Sequence, residues 1–232
     1  MNNKHEGTYR FEIGNPDLKV TSNVEVDLGV LFEKRNFSFM FSPFYNSIND
    51  YIFIAHGGDS MIVVKNDTTL PVYRFVQADA NIGGFETTID IHPASLSWID
   101  LRASYSLSNG ELSKSGASLP FIPADKLIGE LKLGPSKIGA LHNPYISIVV
   151  SHYFEQDKVA AYEAKTEGYT LLDAHAGFDF KLGKQLVGVH LFATNLSDTG
   201  YFNHLSLIKT IGVKEMGRNI GIRLRIPFGI KG

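Results

Sequence analysis

The chain has 232 residues, a net charge of -2 from 22 Lys+Arg against 24 Asp+Glu, and no cysteine. That balance offers no basic surface for nucleic acid, and without thiols there is neither a disulfide nor a thiolate metal site. No stretch approaches the ~18 consecutive apolar residues of a membrane helix. With 44% hydrophobic residues, 16 Phe and 10 Tyr, the composition still suits a membrane β-barrel, in which only alternate residues touch lipid. Met1–Gly7 carry no apolar run of the signal-peptide kind. An outer-membrane protein with this sequence is therefore expected to be a mature fragment or a truncated frame.

Thr8–Ile13 reads as a partial strand, and Gly14-Asn15-Pro16-Asp17-Leu18 as turn chemistry. The first clear strand is predicted over Ser22–Glu33, with Val24, Val26, Leu28, Val30 and Phe32 on one face. After a tight turn at Glu33–Asn36, the next strand starts at Phe37, with a bulge expected where Pro43 cannot donate to the ladder. Asn49–Pro71 reads as a long polar excursion. A strand follows over Val72–His92, kinked at Gly83-Gly84, then one over Trp98–Ser108 and a long segment to Asp125. Strands are predicted at Lys126–Leu133, Tyr145–Phe154, Tyr169–Phe180 and Leu186–Thr194, the last two joined through Lys181–Lys184.

The chain closes on the most informative alternation. Ile220, Ile222, Leu224, Ile226 and Phe228 share one parity; Asn219, Gly221, Arg223 and Arg225 share the other. A strand sends successive side chains to opposite faces. Two arginines beside five large apolar groups do not suit a strand buried on both sides; they suit a wall between an apolar and a wet phase. The expected fold is all-β: an antiparallel up-and-down meander of about nine strands over residues 1–232. Short connections (Glu33–Asn36, His92–Ser97, Gly134–Asn143, Lys181–Gln185) alternate with long ones (Asn49–Pro71, Asn109–Asp125, Glu155–Gly168, Asn195–Gly217). Membrane barrels have that asymmetry. The rival is a soluble β-barrel or sandwich that binds a small apolar ligand.

Four motifs, in this order, carry a resemblance: Gly14-Asn15-Pro16-Asp17-Leu18, Leu119-Pro120-Phe121-Ile122-Pro123, Thr194-Asn195-Leu196-Ser197-Asp198 with Tyr201, and Gly217-Arg218-Asn219 running into the last strand. Together they resemble the last part of a TonB-dependent receptor, an outer-membrane transporter whose lumen holds a plug. The resemblance implies a C-terminal segment of a transmembrane β-barrel, without plug domain or N-terminal strands, working in active uptake of an unidentified nutrient. It implies as partners outer-membrane lipid, the plug, the TonB complex and the barrel assembly machinery. The last strand resembles the outer-membrane assembly signal, carried by Asn219, Gly221, Leu224, Ile226 and Phe228.

The residues suggest no enzyme. No phosphate loop, Rossmann fingerprint or nucleophile elbow is present, and no Ser-His-Asp set assembles. No cofactor and no metal motif is indicated among the 8 His. The one notable pair is His175 and His190: a four-residue loop at Lys181–Lys184 would set them opposite each other beside Asp173 on the polar face, sharing a cation or substrate. More simply, they are ordinary polar wall residues. Arg223 and Arg225 are candidates for an anionic plug surface or ligand, or for pairing with neighbouring carboxylates.

Overall fold

The computed structural model describes residues 2–5, 10–64, 68–183 and 185–227. Lys184 in the expected hairpin loop and Phe228 in the expected assembly signal lie outside them. The described chain is one sheet of thirteen strands. They are β1 (Asn2–His5), β2 (Arg10–Ile13), β3 (Ser22–Asp27), β4 (Val30–Lys34), β5 (Phe37–Val64), β6 (Thr68–Ile91), β7 (Ile99–Leu112), β8 (Lys126–Leu133), β9 (Lys137–Ile138), β10 (Leu141–Tyr153), β11 (Tyr169–Leu182), β12 (Gln185–Thr194) and β13 (Asn219–Arg225). From β3 onward the pairing is antiparallel between neighbours in the chain. β3 and β4 both lie on β5, and β9 is a short side hairpin on β10. Among the described residues no pairing joins β13 to β3 or β4, so the sheet is open.

The register puts the alternation of every strand in phase with its neighbours. Val30, Phe41, Thr87 and Tyr105 stand in one row, and Ile148, Ala174, Ala193 and Ile220 in another. The result is one continuous apolar face from β3 to β13. It stays uncovered: Ile220 is 70% exposed, Ile222 63% and Leu224 60%. The opposite face carries Glu86, Asp90, Arg102, Glu130, Lys132, Asp179, Arg223 and Arg225 in the same phase. Register also fixes the parity of β10: Ile146, Ile148 and Val150 are exposed on the apolar face, and Ser147 is buried on the polar one.

Several expectations change. Pro43 makes no bulge, because the pairing continues unshifted from Ser42 to Phe44. The missing N–H costs a rung instead: Leu28 N donates to Pro43 O at 3.0 Å, the return bond cannot form, and the strand divides into β3 and β4 there. Gly83-Gly84 sits in regular pairing; Gly84 is needed because a Cβ would stand 2.1 Å from Leu107 O. The expected excursion Asn49–Pro71 is mostly strand, since β5 and β6 continue together well past the ends of β3 and β7 as a projecting arm. β2 lies along the part of β6 that β7 does not reach, and pairs with it in parallel: Phe11 with Val72, Ile13 with Arg74. The β11–β12 turn is tighter than expected, closing at Leu182 and Gln185. His190 therefore faces Gly177, and His175 faces Phe192.

Candidate functional site

Two sets of polar side chains could do chemistry: the charged face of the sheet, and the segments that fold together at its loop end. On the charged face the charges pair across strands. Arg102 Nε lies 2.5 Å from Asp90 Oδ1, Ser38 Oγ donates to Asp90 at 3.3 Å, and Ser147 Oγ donates to Glu130 at 2.7 Å. Towards the turn end, Asp179 is buried and accepts from Asn143 Nδ2 at 3.0 Å and Arg225 at 3.1 Å. Glycines on this face make room for their neighbours. A Cβ on Gly177 would meet Tyr145 at 2.6 Å and His190 at 2.7 Å, and one on Gly221 would meet the Phe192 ring at 2.3 Å. Rings lie over each bare stretch of backbone and restore its packing.

The expected His175–His190 pair does not form. His190 turns to Tyr145, whose hydroxyl lies 3.3 Å from Nδ1. Asp173 joins neither histidine; its Oδ1 accepts the Asn195 N–H at 2.8 Å. The reason is register. Closing the turn at Leu182 and Gln185 keeps every side chain on its predicted face but slides the partners. Among the described residues no cluster of three or more His, Cys, Asp and Glu side chains could hold a metal. Arg223 and Arg225 lie on the predicted face, and Arg225 pairs with Asp179.

At the loop end Asp173 anchors the start of the β12–β13 connection through Asn195. Asn195, buried with φ at 49°, accepts Thr199 N–H at 2.8 Å and donates to Thr199 O at 2.9 Å. Asp198 accepts Arg218 N–H at 2.8 Å. The Thr194–Asp198 motif is thus a clasp that starts and ends the β12–β13 loop. The Leu119–Pro123 motif has an equally physical role. Leu119 and Ile122 pack with Ala80 into the small core of the molecule, over Gly110, whose Cβ would stand 2.7 Å from Ile122. That anchoring holds Phe121 at φ 60° with its N–H turned to Glu163. The Gly14–Leu18 turn is pinned likewise: Asn15 caps Asp17 N–H, and Gln77 bonds both backbone groups of Lys19.

The β10–β11 loop carries the residues that local sequence reading misses. Gln156 is buried and donates to Ile122 O and Pro123 O, both at 3.0 Å. Tyr162 donates its hydroxyl to Ile54 O on the projecting arm and stacks edge-on against Tyr73 at 5.6 Å. Glu163, 5% exposed, lies 3.2 Å from His204 Nε2 and 3.6 Å from Lys209 Nζ, and accepts the Phe121 N–H at 3.3 Å. His204 Nδ1 receives Lys209 Nζ at 3.2 Å and Thr166 Oγ1 at 2.8 Å. An ammonium only donates, so Nδ1 is the acceptor and Nε2 carries the proton facing Glu163. Burial pushes the Glu163 carboxyl up, but His204, the Phe121 N–H and Lys209 outweigh it and hold the group below the usual carboxylate range. Burial also lowers the Lys209 ammonium against the pull of Glu163. Glu163 and His204 are 41 positions apart in the sequence, so no spacing rule finds them.

Beneath these loops, on the charged face, lies a cavity of about 320 Å³ bordered by Glu86, Ser108, Lys126, Tyr153, Thr166 and His204. Tyr153, Tyr169 and Tyr201 stack along one side, with ring centroids 4.6 and 4.3 Å apart, and Lys126 lies over the Tyr153 ring at 4.9 Å.

Solved structures with this architecture include the copper transporter OprC (16% identity, TM-score 0.73, 91% of this chain and 33% of that chain). Others are the siderophore receptor PirA from Acinetobacter baumannii (18%, 0.62, 93% and 33%) and the FrpB iron transporter from Neisseria meningitidis (14%, 0.64, 94% and 33%). The chain spans about a third of the length of each, and at these identities the likeness is one of fold. The model of the family described as TonB dependent receptor-like, beta-barrel, matches residues 1–196, through the clasp at Asn195. With most of its length matched and its sheet two-faced from end to end, this chain belongs to the TonB dependent receptor-like β-barrel family.

Proposed function

We propose that this chain is a C-terminal barrel segment of an outer-membrane receptor for active nutrient uptake, a transport protein rather than an enzyme. The observation that carries the reading is the two-faced sheet. Its uncovered apolar face suits lipid, and its charged face suits a wet lumen. The short turns belong to the periplasmic side and the packed loops to the extracellular side. In this reading Arg223 and Arg225 face a plug, and energy reaches the plug through the TonB complex. Asn219, Gly221 and Leu224 on the last strand, with Ile226 and Phe228 after it in the sequence, address the assembly machinery. The clasp and the Tyr162–Glu163 loop shape the extracellular mouth. The soluble rival has no account of so many exposed branched side chains on one face.

The test is uptake in cells that carry the receptor at its natural level, offered radiolabelled ferric chelates, cobalamin and oligosaccharides in turn. One solute should accumulate, and accumulation should be lost on deleting the receptor and on collapsing the proton gradient. Recovery of the protein in the soluble fraction, or uptake that survives the ionophore, would overturn the reading.

A further inference from the structure

On the charged face Asp90 pairs with Arg102, and Asp179 with Arg225. Glu86 and Lys126 differ: among the described residues neither has an ion-pair partner. They stand in one row across the sheet. Glu86 on β6 is opposite Ser106 on β7, and Ser106 is opposite Lys126 on β8. Two strand spacings therefore separate the two charges, about 10 Å in all. The row continues through Tyr153 on β10 to Tyr169 on β11, and the Lys126 ammonium lies over the Tyr153 ring at 4.9 Å. All five residues border the cavity of about 320 Å³ on this face, with Ser108, Phe44 and Leu205 beside them.

We propose that this cavity takes a zwitterionic solute, its ammonium held at Glu86 and its carboxylate, about 10 Å away, at Lys126. The inference rests on the uptake reading under Proposed function and names the charge class of the solute. A solute carrying both charges satisfies both wall groups at once, which is what electrostatic complementarity requires. A chelate bearing only negative charge would set part of it against Glu86. A neutral sugar would leave both wall charges without a partner. Between the two ends, the Ser106 and Ser108 hydroxyls both donate and accept, so they suit an amide- or hydroxyl-bearing stretch of solute. Phe44 and Leu205 offer it apolar contact. The Tyr153 ring holds the Lys126 ammonium at the cavity by cation–π attraction. An extended peptide rises about 3.4 Å per residue, so a tripeptide with free termini is the simplest molecule that spans the site.

The experiment is calorimetric titration of the full receptor, purified into lipid nanodiscs, with trialanine, N-acetyl-trialanine and trialanine amide. Trialanine should bind, and capping either end should weaken binding about 10- to 100-fold, the worth of a hydrogen bond to a charged group. Two variants then assign the ends. Glu86→Gln should bind the free and N-acetylated forms alike and still prefer the free carboxylate. Lys126→Gln should bind the free and amidated forms alike and still prefer the free amino terminus. Both side chains stand on the wet face, so both variants should assemble at the parent level. Failure of trialanine to bind the assembled receptor, equal binding of free and capped forms, or unchanged preferences in the two variants would overturn the inference. In cells, the solute that accumulates in the uptake test should carry both charges. Uptake of a solute without an ammonium, abolished by the ionophore, would overturn the zwitterion and leave the receptor reading standing. Recovery of the protein in the soluble fraction would overturn both.

Discussion

The wall and the loop end of this molecule invert each other. In β13 the large apolar side chains are the exposed ones, with Ile222 at 63% and Leu224 at 60%. In the loop node the charged side chains are the buried ones, with Glu163 at 5% and Lys209 at 9%. A protein surrounded by water alone would be expected to show neither. Exposed leucine and isoleucine in phase across a whole sheet make sense where the surrounding solvent is hydrocarbon. A buried carboxylate makes sense where removing the charge leaves several donors unsatisfied, so that the pair fixes one arrangement of the loops. The wall is specified by face, the loops by individual bonds, and substitutions should therefore act on them differently.

The largest effect should come from reversing the wall. Arginine on a lipid-facing position costs about 2–4 kcal/mol near the bilayer midplane. Leu224→Arg should block assembly, measured as loss of the heat-modifiable form in the outer-membrane fraction, whereas Arg223→Gln next to it should assemble normally. Next comes Gly84→Ala. Its methyl would meet Leu107 O at 2.1 Å, and that oxygen is backbone, so the strands must part. Overpacking of this kind costs about 1–3 kcal/mol or more, and receptor yield should fall sharply. Gly221→Ala is the milder control, because the Phe192 ring it meets is the end of a side chain that can turn aside.

A third prediction separates clasp from wall. Asp173→Ala takes away the acceptor of the Asn195 N–H. Leaving a buried donor without a partner costs about 1–3 kcal/mol, and here the cost falls on the β12–β13 loop alone. Protease added to intact cells should cut within residues 199–217 several times faster, while the amount of assembled receptor stays unchanged. The smallest effect should be that of Arg225→Gln. Arg225 is more than half exposed and Asp179 keeps Asn143, so the loss should be at most about 1 kcal/mol, visible only as a small drop in the temperature of heat modification.

Face was legible in the sequence, and partner was not. Alternation alone assigned Ile220 to one side and Arg223 to the other, and Lys126–Leu133 was expected with the bounds it has. The His175–His190 pairing failed because sliding a hairpin by two residues preserves parity, and parity was all the alternation could fix. The arm at Asn49–Pro71 read as loop because its apolar runs, Tyr51–Ala55 and Met61–Val64, do not alternate and are split by His56-Gly57-Gly58-Asp59-Ser60, so no two-faced period marked them as strand. The Leu119–Pro123 and Thr194–Asp198 motifs were visible as patterns; their meaning as anchor and clasp needed Gly110, Gln156 and Asp173 brought close. Glu163, His204 and Lys209 left no local trace, since a polar residue in a polar loop looks the same whether solvated or buried.

A fluorophore at Leu224 reads directly whether its face of the sheet meets lipid. Trp98 is the only tryptophan, so Leu224→Trp in a Trp98→Phe background gives one fluorophore on that face. Lipid yields around the larger ring, whereas a packed core would lose about 1–3 kcal/mol to it. The receptor should assemble at close to the parent yield. In bilayers with brominated acyl chains its emission should be strongly quenched, and aqueous iodide should leave it untouched. Quenching by iodide without quenching by the brominated lipid, or a variant as poorly assembled as Leu224→Arg, would mean that Ile220, Ile222 and Leu224 face water or a protein core, and the barrel account would fail.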